Sequence, residues 1–380
     1  MLQFGILWLG QFGSNISEYA LTKGFKVVIA NTAEVDLKKN AYIKEENKIH
    51  LGGKGAGRDR NVGMEATIKN AEKISAACKK EFKDCDIVFV AASCGGGTGS
   101  GGLPIGLEIL MEDFDCVSAI VGLPENSESP KSKINTLECF EQLSSFESLG
   151  SVFIVDNQKA KNLNPLMPRN RIYEVTNHQI IDYLCEINAL TDKTSYVSNF
   201  DGSDFISILQ ERGYTLLSKT EGVLATNDNK FKVAKMIRES WKNSYQPEFT
   251  NGQIVKAAIL SKISPSISNT IDIDVIFQEI GIPYDYNDIC FSTDGHSKKL
   301  EEKPFVTYII LSGLSFPTAR LAELDNFIKG VEDKLATNIN NSHSQTFKTD
   351  HWSAKFKKEK KQDKEKRESL LERMKKHMQK

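Results

Sequence analysis

Nine residues constrain this chain more than any others: Cys94-Gly95-Gly96-Gly97-Thr98-Gly99-Ser100-Gly101-Gly102. They follow the run Asp86-Ile87-Val88-Phe89-Val90-Ala91-Ala92, whose unbroken apolar character predicts a strand buried on both faces of a parallel sheet. After them, residues 103–111 carry apolar side chains at helical spacing, which predicts a helix packing back on that sheet. Six of the nine residues are glycine, so backbone N–H groups can turn inward without Cβ obstruction. The helix start adds unpaired donors and a positive dipole end. Such a loop is built to hold phosphate. A glycine-rich linker is the alternative, but linkers are not bracketed by a buried strand and a helix. Gly-x-x-x-x-Gly-Lys-Ser/Thr occurs nowhere in the chain, and the Gly-x-Gly-x-x-Gly of dinucleotide folds belongs after the first strand.

Residue for residue, the stretch resembles the Gly-Gly-Gly-Thr-Gly-Ser-Gly signature of the tubulin and FtsZ superfamily of GTPases. The resemblance implies an α/β fold of tubulin/FtsZ type that hydrolyses GTP to GDP. Its parts would be a Rossmann-like GTP-binding domain on a parallel sheet (1–172), a long central helix (173–200) and a catalytic loop with its helix (201–215). A smaller mixed α/β second domain (216–335) and a C-terminal helix with a basic tail (336–380) would complete it. In the signature itself, Gly95, Gly96, Gly97, Thr98, Gly99 and Ser100 would meet the phosphates.

Other loops carry the same resemblance. The first strand, Phe4-Gly5-Ile6-Leu7-Trp8-Leu9, ends in Gly10-Gln11-Phe12-Gly13-Ser14-Asn15. This string is similar to the superfamily's first nucleotide loop, which implies contacts from Gly10, Gln11, Phe12, Gly13 and Asn15. The second strand, residues 26–30, runs into Asn31-Thr32-Ala33-Glu34, similar to the Asn-Thr-Asp of FtsZ, which implies a nucleotide contact from Asn31. The cluster from Gly52 to Gly63 resembles the loop that senses the terminal phosphate, with Gly55, Ala56, Gly57 and Arg58 as its contacts. Flexible N–H groups and a guanidinium can close around a charge that later leaves. After the strand at 116–121, Glu128 fits the acid of a ribose-contacting loop, and Lys131 stands near the position of the family's arginine.

Tyr173 and Asn177 are four residues apart and share one helical face, so an aromatic plane and an amide address the same object. Guanine offers a π-face and a donor–acceptor edge. By the resemblance, Asn157 and Asn177 read guanine and Tyr173 stacks on it. The helical pattern continues through Ile180, Ile181, Leu184 and Ile187 to about Val197. Asn199-Phe200-Asp201-Gly202-Ser203-Asp204 then reads, taken alone, as a turn and a helix N-cap. Its Asn-x-Asp-x-x-Asp spacing is similar to the FtsZ catalytic loop, which implies that Asn199, Asp201 and Asp204 act on GTP held by the neighbouring subunit. A central helix of about 25 residues spans ~37 Å, so these acids do not reach the phosphates of their own subunit. Head-to-tail stacking brings them to the next one, and such heterologous contacts build filaments. Mg2+ is expected between the phosphates, with Gln11 as a candidate ligand.

Beyond residue 216, strand candidates lie at 255–260, 289–292 and 305–311, with helices near 231–243, 271–280 and 317–335, and no catalytic string. No apolar run reaches membrane-spanning length and no signal core opens the chain, so a cytoplasmic protein of a bacterial host, without membrane contact, is expected. Seven scattered cysteines without a CxxC pair suggest neither disulfides nor a zinc site. Residues 355–380 hold twelve Lys or Arg against five Asp or Glu, a net of +7 in a chain whose total is −1. This tail reads either as a solvated helix or as a basic arm for an adaptor or DNA. Within the superfamily the chain most resembles the TubZ family of plasmid and phage segregation tubulins. That resemblance implies a filament carrying DNA through a TubR-type DNA-binding adaptor docked on the tail. A phage tubulin that centres viral DNA and an FtsZ-like cell-division GTPase are the neighbouring readings. A non-polymerising Rossmann enzyme is the reading from another class, and its first-loop Gly-x-Gly-x-x-Gly is missing here.

Overall fold

Strand and helix alternate from the first residues, as the apolar runs and glycine turns require. The computed structural model describes residues 1–14, 16–193, 199–225, 228–249, 254–281, 285–291 and 302–342. Asn15 and the basic tail at 355–380 therefore lie outside the described residues. In order come β1 (Phe4–Leu9), α1 (Gly10–Ser14), α2 (Ser17–Thr22), β2 (Lys26–Asn31), α3 (Glu34–Lys38), β3 (Lys48–His50), α4 (Arg60–Lys69) and α5 (Ala71–Glu81). They are followed by β4 (Ile87–Ser93), α6 (Thr98–Asp113), β5 (Val117–Leu123), α7 (Pro130–Leu143), β6 (Ser151–Asp156), α8 (Asn157–Leu163) and α9 (Arg169–Asn188). The remaining elements are α10 (Gly202–Leu209), β7 (Gly213–Ala225), α11 (Lys230–Glu239), β8 (Lys256–Ile263), α12 (Ile273–Ile280), β9 (Tyr286–Phe291), β10 (Glu302–Leu314) and α13 (Thr318–Ser342). The chain divides into two units, Met1–Ile328 and Lys329–Lys380. Of the second, the described part is the C-terminal portion of α13.

Ten described strands form one sheet in the order β3-β2-β1-β4-β5-β6-β7-β10-β8-β9. From β3 to β7 every pairing is parallel, and every residue of β1, β5 and β6 is buried, as expected where helices cover both faces. The chain order reverses between β1 and β4, so a crevice opens at the carboxyl ends of these two strands. The loop from Gly95 to Gly97 and the turn at Gly10 both emerge there. β7 and β10 then pair antiparallel, as do β10 and β8. β7, a 13-residue strand, had no counterpart among the sequence expectations; its alternation is masked because it is buried along its first half and exposed along much of its second. β6 meets β7 over two residue pairs, Ser151–Gly213 and Val152–Tyr214. The two halves are joined mainly by α9, whose Ile180, Ile181, Leu184 and Ile187 share one apolar cluster with Phe153 and Val155 on one side and Leu217, Tyr308 and Ile310 on the other.

The central helix differs from its expected extent. It begins at Arg169, directly after Pro168, whose fixed φ of −59° suits a helix entry, and it ends at Asn188 rather than near Val197. Its end is fixed by Asn188 itself, which accepts from the Leu2 N–H at 2.9 Å and donates to the Leu2 carbonyl at 2.8 Å. Its 20 residues span ~30 Å.

Helices α4 and α6 touch backbone to backbone. A Cβ on Gly101 would stand 2.0 Å from the Arg60 carbonyl oxygen, and one on Gly63 would stand 2.3 Å from the Gly97 carbonyl oxygen. Both are backbone obstacles that no rotamer change relieves. Gly101→Ala would ordinarily gain ~0.5–1 kcal/mol of helix propensity; here overpacking of ~1–3 kcal/mol or more reverses the sign. By contrast, a Cβ on Gly96 meets its nearest neighbour, the Ser93 carbonyl oxygen, at 4.0 Å. We expect Gly101→Ala to lower the thermal melting point by several degrees and Gly96→Ala to leave it unchanged, as read by circular dichroism; equal melting points would refute the close-contact account.

Candidate nucleotide-binding site

A cleft of about 530 Å³ opens at the carboxyl ends of β1, β2 and β4, where the strand order reverses. From the signature loop, Gly95, Gly96, Gly97, Thr98 and Gly99 line it, and Gln11 and Phe12 of α1 line it opposite. Ser100 does not. Its hydroxyl is buried, accepting from Arg60 Nε at 3.0 Å and donating to the Asn135 carbonyl at 3.2 Å. Gly10 and Gly13 also lie behind the cleft rather than in it. Gly10 has φ +73°, and its Cβ would stand 3.0 Å from Gly99 N; a Cβ on Gly13 would stand 2.4 Å from Trp8 Cβ. Gly10 lets the first loop press against the second, and Gly13 lets α1 fold back on the end of β1.

The wall formed by the end of β2, the turn after it and α3 holds Asn31, Thr32, Ala33 and Asp36. Asn31 was an expected contact, yet its amide is already engaged: Oδ1 accepts from Ala33 N at 3.2 Å and Nδ2 donates to Asp36 Oδ2 at 3.2 Å. It shapes the turn. Thr32 and Asp36 were not anticipated. Thr32 shares a hydrogen bond of 2.6 Å with Thr98 at the start of α6, tying the two loops at the floor of the cleft. Gly55, Ala56, Gly57 and Arg58 form the next wall. Five residues between 52 and 58 have φ between 57° and 110°, and Arg58, at φ 62°, is the non-glycine residue among them. That conformation costs Arg58 ~1–2 kcal/mol, and its guanidinium reaches across to Ser129 Oγ at 2.6 Å. Its neighbour Arg60 turns the other way, buried against Ser100, Gln142 and Glu138.

At the far end stand Glu128, Asn157, Tyr173 and Asn177. Glu128 is held by the Glu125 N–H at 3.0 Å and by Ser132 Oγ at 3.0 Å. Burial pushes the Tyr173 hydroxyl up to about 12, with Glu128 and Glu125 adding to it. Lys131 is exposed and does not line the cleft. The guanidinium that does lie beside this end is Arg169, whose central carbon stands 5.9 Å from the Tyr173 ring centre and which pairs with both oxygens of Glu125 at 3.0 and 3.2 Å. Glu125 is fully buried; burial alone would raise its pKa, but Arg169, Ser127 and Lys161 together hold it below the usual carboxylate range. Most telling are the two asparagines. The Oδ1 atoms of Asn157 and Asn177 are buried and accept no hydrogen bond among the described residues. A buried acceptor left unpaired costs ~1–3 kcal/mol, so two in residues that line one cleft call for a ligand that brings N–H donors.

Asn199, Asp201 and Asp204 lie elsewhere. Asp201 caps α10: its Oδ1 accepts from Ser203 N at 2.8 Å, Ser203 Oγ at 2.5 Å and Asp204 N at 3.1 Å. Asp204 Oδ2 accepts from Asp201 N at 3.1 Å in return. The Ser203 hydroxyl and the Asp204 N–H hold the Asp201 carboxyl below the usual carboxylate range. Asn199 and Asp201 are exposed. α10 starts beside the N-terminal end of β1, with Phe205 and Phe4 ring centres 6.3 Å apart, whereas the cleft sits at the opposite end of that strand. Six strand residues place roughly 20 Å between them.

Residues 5–165 match the model of the tubulin/FtsZ family, GTPase domain. Over 377 residues the chain is 26% identical to the tubulin-like protein TubZ of Bacillus cereus, covering 90% of this chain and 86% of that one. It is 29% identical over 250 residues to the tubulin-like protein CetZ of Pyrococcus furiosus, covering 63% of this chain and 66% of that one. The fold is similar to a GTPγS-form protofilament of Bacillus thuringiensis serovar israelensis TubZ, with a TM-score of 0.73, 20% identity, and coverage of 90% of this chain and 94% of that one.

Replacing an orphaned acceptor separates binding from stability. We expect Asn177→Leu to melt at or above the native temperature without ligand, because an unpaired buried amide worth ~1–3 kcal/mol is removed. The same variant should lose the rise in melting point that GDP gives the native chain. A GDP-induced rise of native size in the variant would sink this assignment.

Proposed function

With residues 5–165 a GTPase domain of the tubulin/FtsZ family, we propose that the whole chain hydrolyses GTP where its copies stack head to tail, each supplying the acids that act on its neighbour's nucleotide. The observation that carries this reading is the state of the carboxylates. Asp36 and Glu128 line the cleft, but both carboxylate oxygens of each are engaged, those of Asp36 by Asn31 and Lys39 and those of Glu128 by Glu125 N and Ser132, so neither offers a free oxygen as a base. Asp201 and Asp204, at the opposite ends of the strands, each commit one carboxylate oxygen to the capping box, and Asp201 faces solvent.

Guanine binding follows from the donor–acceptor count. The N1–H and 2-amino group of guanine donate to the Oδ1 atoms of Asn157 and Asn177, and the Tyr173 ring covers its face. Adenine presents an acceptor at the equivalent edge and leaves these oxygens unpaired, which is a strong basis for rejection. The phosphates meet the backbone of Gly96, Gly97 and Gly99, the start of α6 and the Arg58 guanidinium. Magnesium fits this donor set as an ion held chiefly by phosphate oxygens and water, because no group of three His, Cys, Asp or Glu side chains gathers among the described residues. Gln11 would be its protein ligand, and the ion would offset phosphate charge.

In hydrolysis, a water oxygen attacks the terminal phosphorus, its proton passes to a carboxylate of Asp201 or Asp204 from the neighbouring copy, and the bond to the β-phosphate oxygen breaks to release GDP. Asn199 orients the same water. Head-to-tail contacts of this kind propagate into a filament. We infer further that the filament moves a low-copy plasmid or phage genome in a bacterial cytoplasm through a TubR-type DNA-bound adaptor. Similarity to TubZ over 90% of the chain and the +7 charge of residues 355–380 support that reading.

GTP turnover measured against protein concentration, with light scattering in parallel, tests the shared site. The native rate per subunit should climb above a threshold concentration. Asp201→Ser keeps an N-cap and should scatter normally while losing roughly 10²-fold or more in rate. A rate per subunit independent of concentration would refute catalysis across a subunit contact.

A further inference from the structure

Arg320, on the first turn of α13, is far from the cleft in sequence and 7% exposed. Its guanidinium makes four contacts, each at 2.9 Å. Nε donates to Asp156 Oδ2, Nη1 donates to Asn126 Oδ1 and to Glu323 Oε2, and Nη2 donates to the Pro124 carbonyl. Asp156 is 3% exposed, and its other carboxylate oxygen accepts from Gln158 N at 3.0 Å, capping α8. The first residue of α8 is Asn157, one of the two cleft-lining asparagines with an orphaned oxygen. Pro124 and Asn126 belong to the segment that leads from β5 to Glu128 on the sugar side of the cleft. A second tie comes from the same face of α13: the Lys133 ammonium, fully buried, lies 3.9 Å from the Phe327 ring centre and donates to the carbonyls of Asn126 at 2.9 Å and Glu128 at 2.5 Å. Burial raises the pKa of Asp156, and Arg320 opposes that rise.

One rigid planar fork thus links the helix cap that positions the base-reading amide to the loop that positions the sugar-side acid. We propose that Arg320 is a positioning residue for guanine selection: it sets the spacing between Asn157 and Glu128, so that the base edge and the sugar register with the cleft together. This rests on the guanine nucleotide reading given above. A lysine keeps the charge but not the fork, so it can hold Asp156 or the loop but not both in register. The phosphate side of the cleft, built by Gly96, Thr98 and Arg58, has no contact with Arg320 and should be indifferent to it.

The test is calorimetric titration of the full chain, native and Arg320→Lys, with GDP, inosine diphosphate, ADP and pyrophosphate. Inosine diphosphate lacks the 2-amino group that one asparagine reads. In the native chain GDP should bind more tightly than inosine diphosphate and ADP. In Arg320→Lys, GDP affinity should fall roughly 10-fold, the scale of one lost charged hydrogen bond, and the preference for GDP over inosine diphosphate should shrink toward unity. Pyrophosphate affinity should not change. Asn126→Ala, at an exposed position, removes one acceptor of the fork while leaving Asp156 paired, and should shift the same preference in the same direction if Arg320→Lys fails to fold. An unchanged GDP preference in a folded variant, or pyrophosphate weakening in parallel with GDP, would overturn the role of Arg320. A native chain that binds ADP as tightly as GDP would instead overturn the guanine reading itself, and this inference with it.

Discussion

The approach of α4 to α6 is the constraint on which the rest of the cleft depends. Gly63 and Gly101 bring two helix backbones closer than any side chain permits. Gly97 repeats the condition one step away, because its Cβ would meet Ala56 Cβ at 2.8 Å and the backbone N and O of Asp59 at 2.9 Å. The signature loop and the glycine-rich loop before α4 are therefore not separate flexible arms. Each is the wall against which the other is shaped, and the strained φ of Arg58 persists because neighbouring backbone fixes it. Arg60 completes the joint by donating to the Ser100 hydroxyl at 3.0 Å and carbonyl at 3.1 Å, a buried cation satisfied largely by neutral oxygens.

Much of this was legible in the chain, for reasons particular to each element. A strand buried on both faces has no polar positions, so residues 87–92 announce themselves, and a run of glycines just after such a strand has few structural explanations. Asn157, Tyr173 and Asn177 were legible through spacing and resemblance, and they meet at one end of the cleft. What the sequence concealed was the division of labour among identical residue types. Nothing in the letters separates Gly96, which has room for a side chain, from Gly101, which has none. Ser100 and Thr98 sit two residues apart, yet one anchors an arginine and the other faces the cleft. The end of α9 was overrun because the apolar spacing carries past Asn188, whose side chain stops the helix by turning to Leu2. Its start was set late as well: the helix begins at Arg169, directly after Pro168, and not at Tyr173.

Long-range polar contacts were the least legible of all. Arg320 lies 164 residues from Asp156 and 194 from Asn126, and neither propensity nor periodicity links them. The sheet shows why such ties are needed. Its two halves share two residue pairs between β6 and β7, so the relation between them is carried by α9 and by side chains that cross from late elements to early loops. A buried guanidinium suits this task because one planar group satisfies several oxygens in fixed directions.

The capping box on α10 carries a last consequence. Asp201 turns a single oxygen, Oδ1, toward Ser203 and Asp204, so its helix-capping duty and any duty toward an outside molecule fall on different atoms of one carboxylate. The cleft and this carboxylate occupy opposite edges of the same parallel strands. In the head-to-tail stack proposed above, one terminal subunit therefore exposes a cleft to which no acid is presented, while the other exposes an acid with no cleft to serve. The former keeps its triphosphate until another copy arrives, which makes the two tips chemically unequal and gives the polymer a direction and an age gradient along its length.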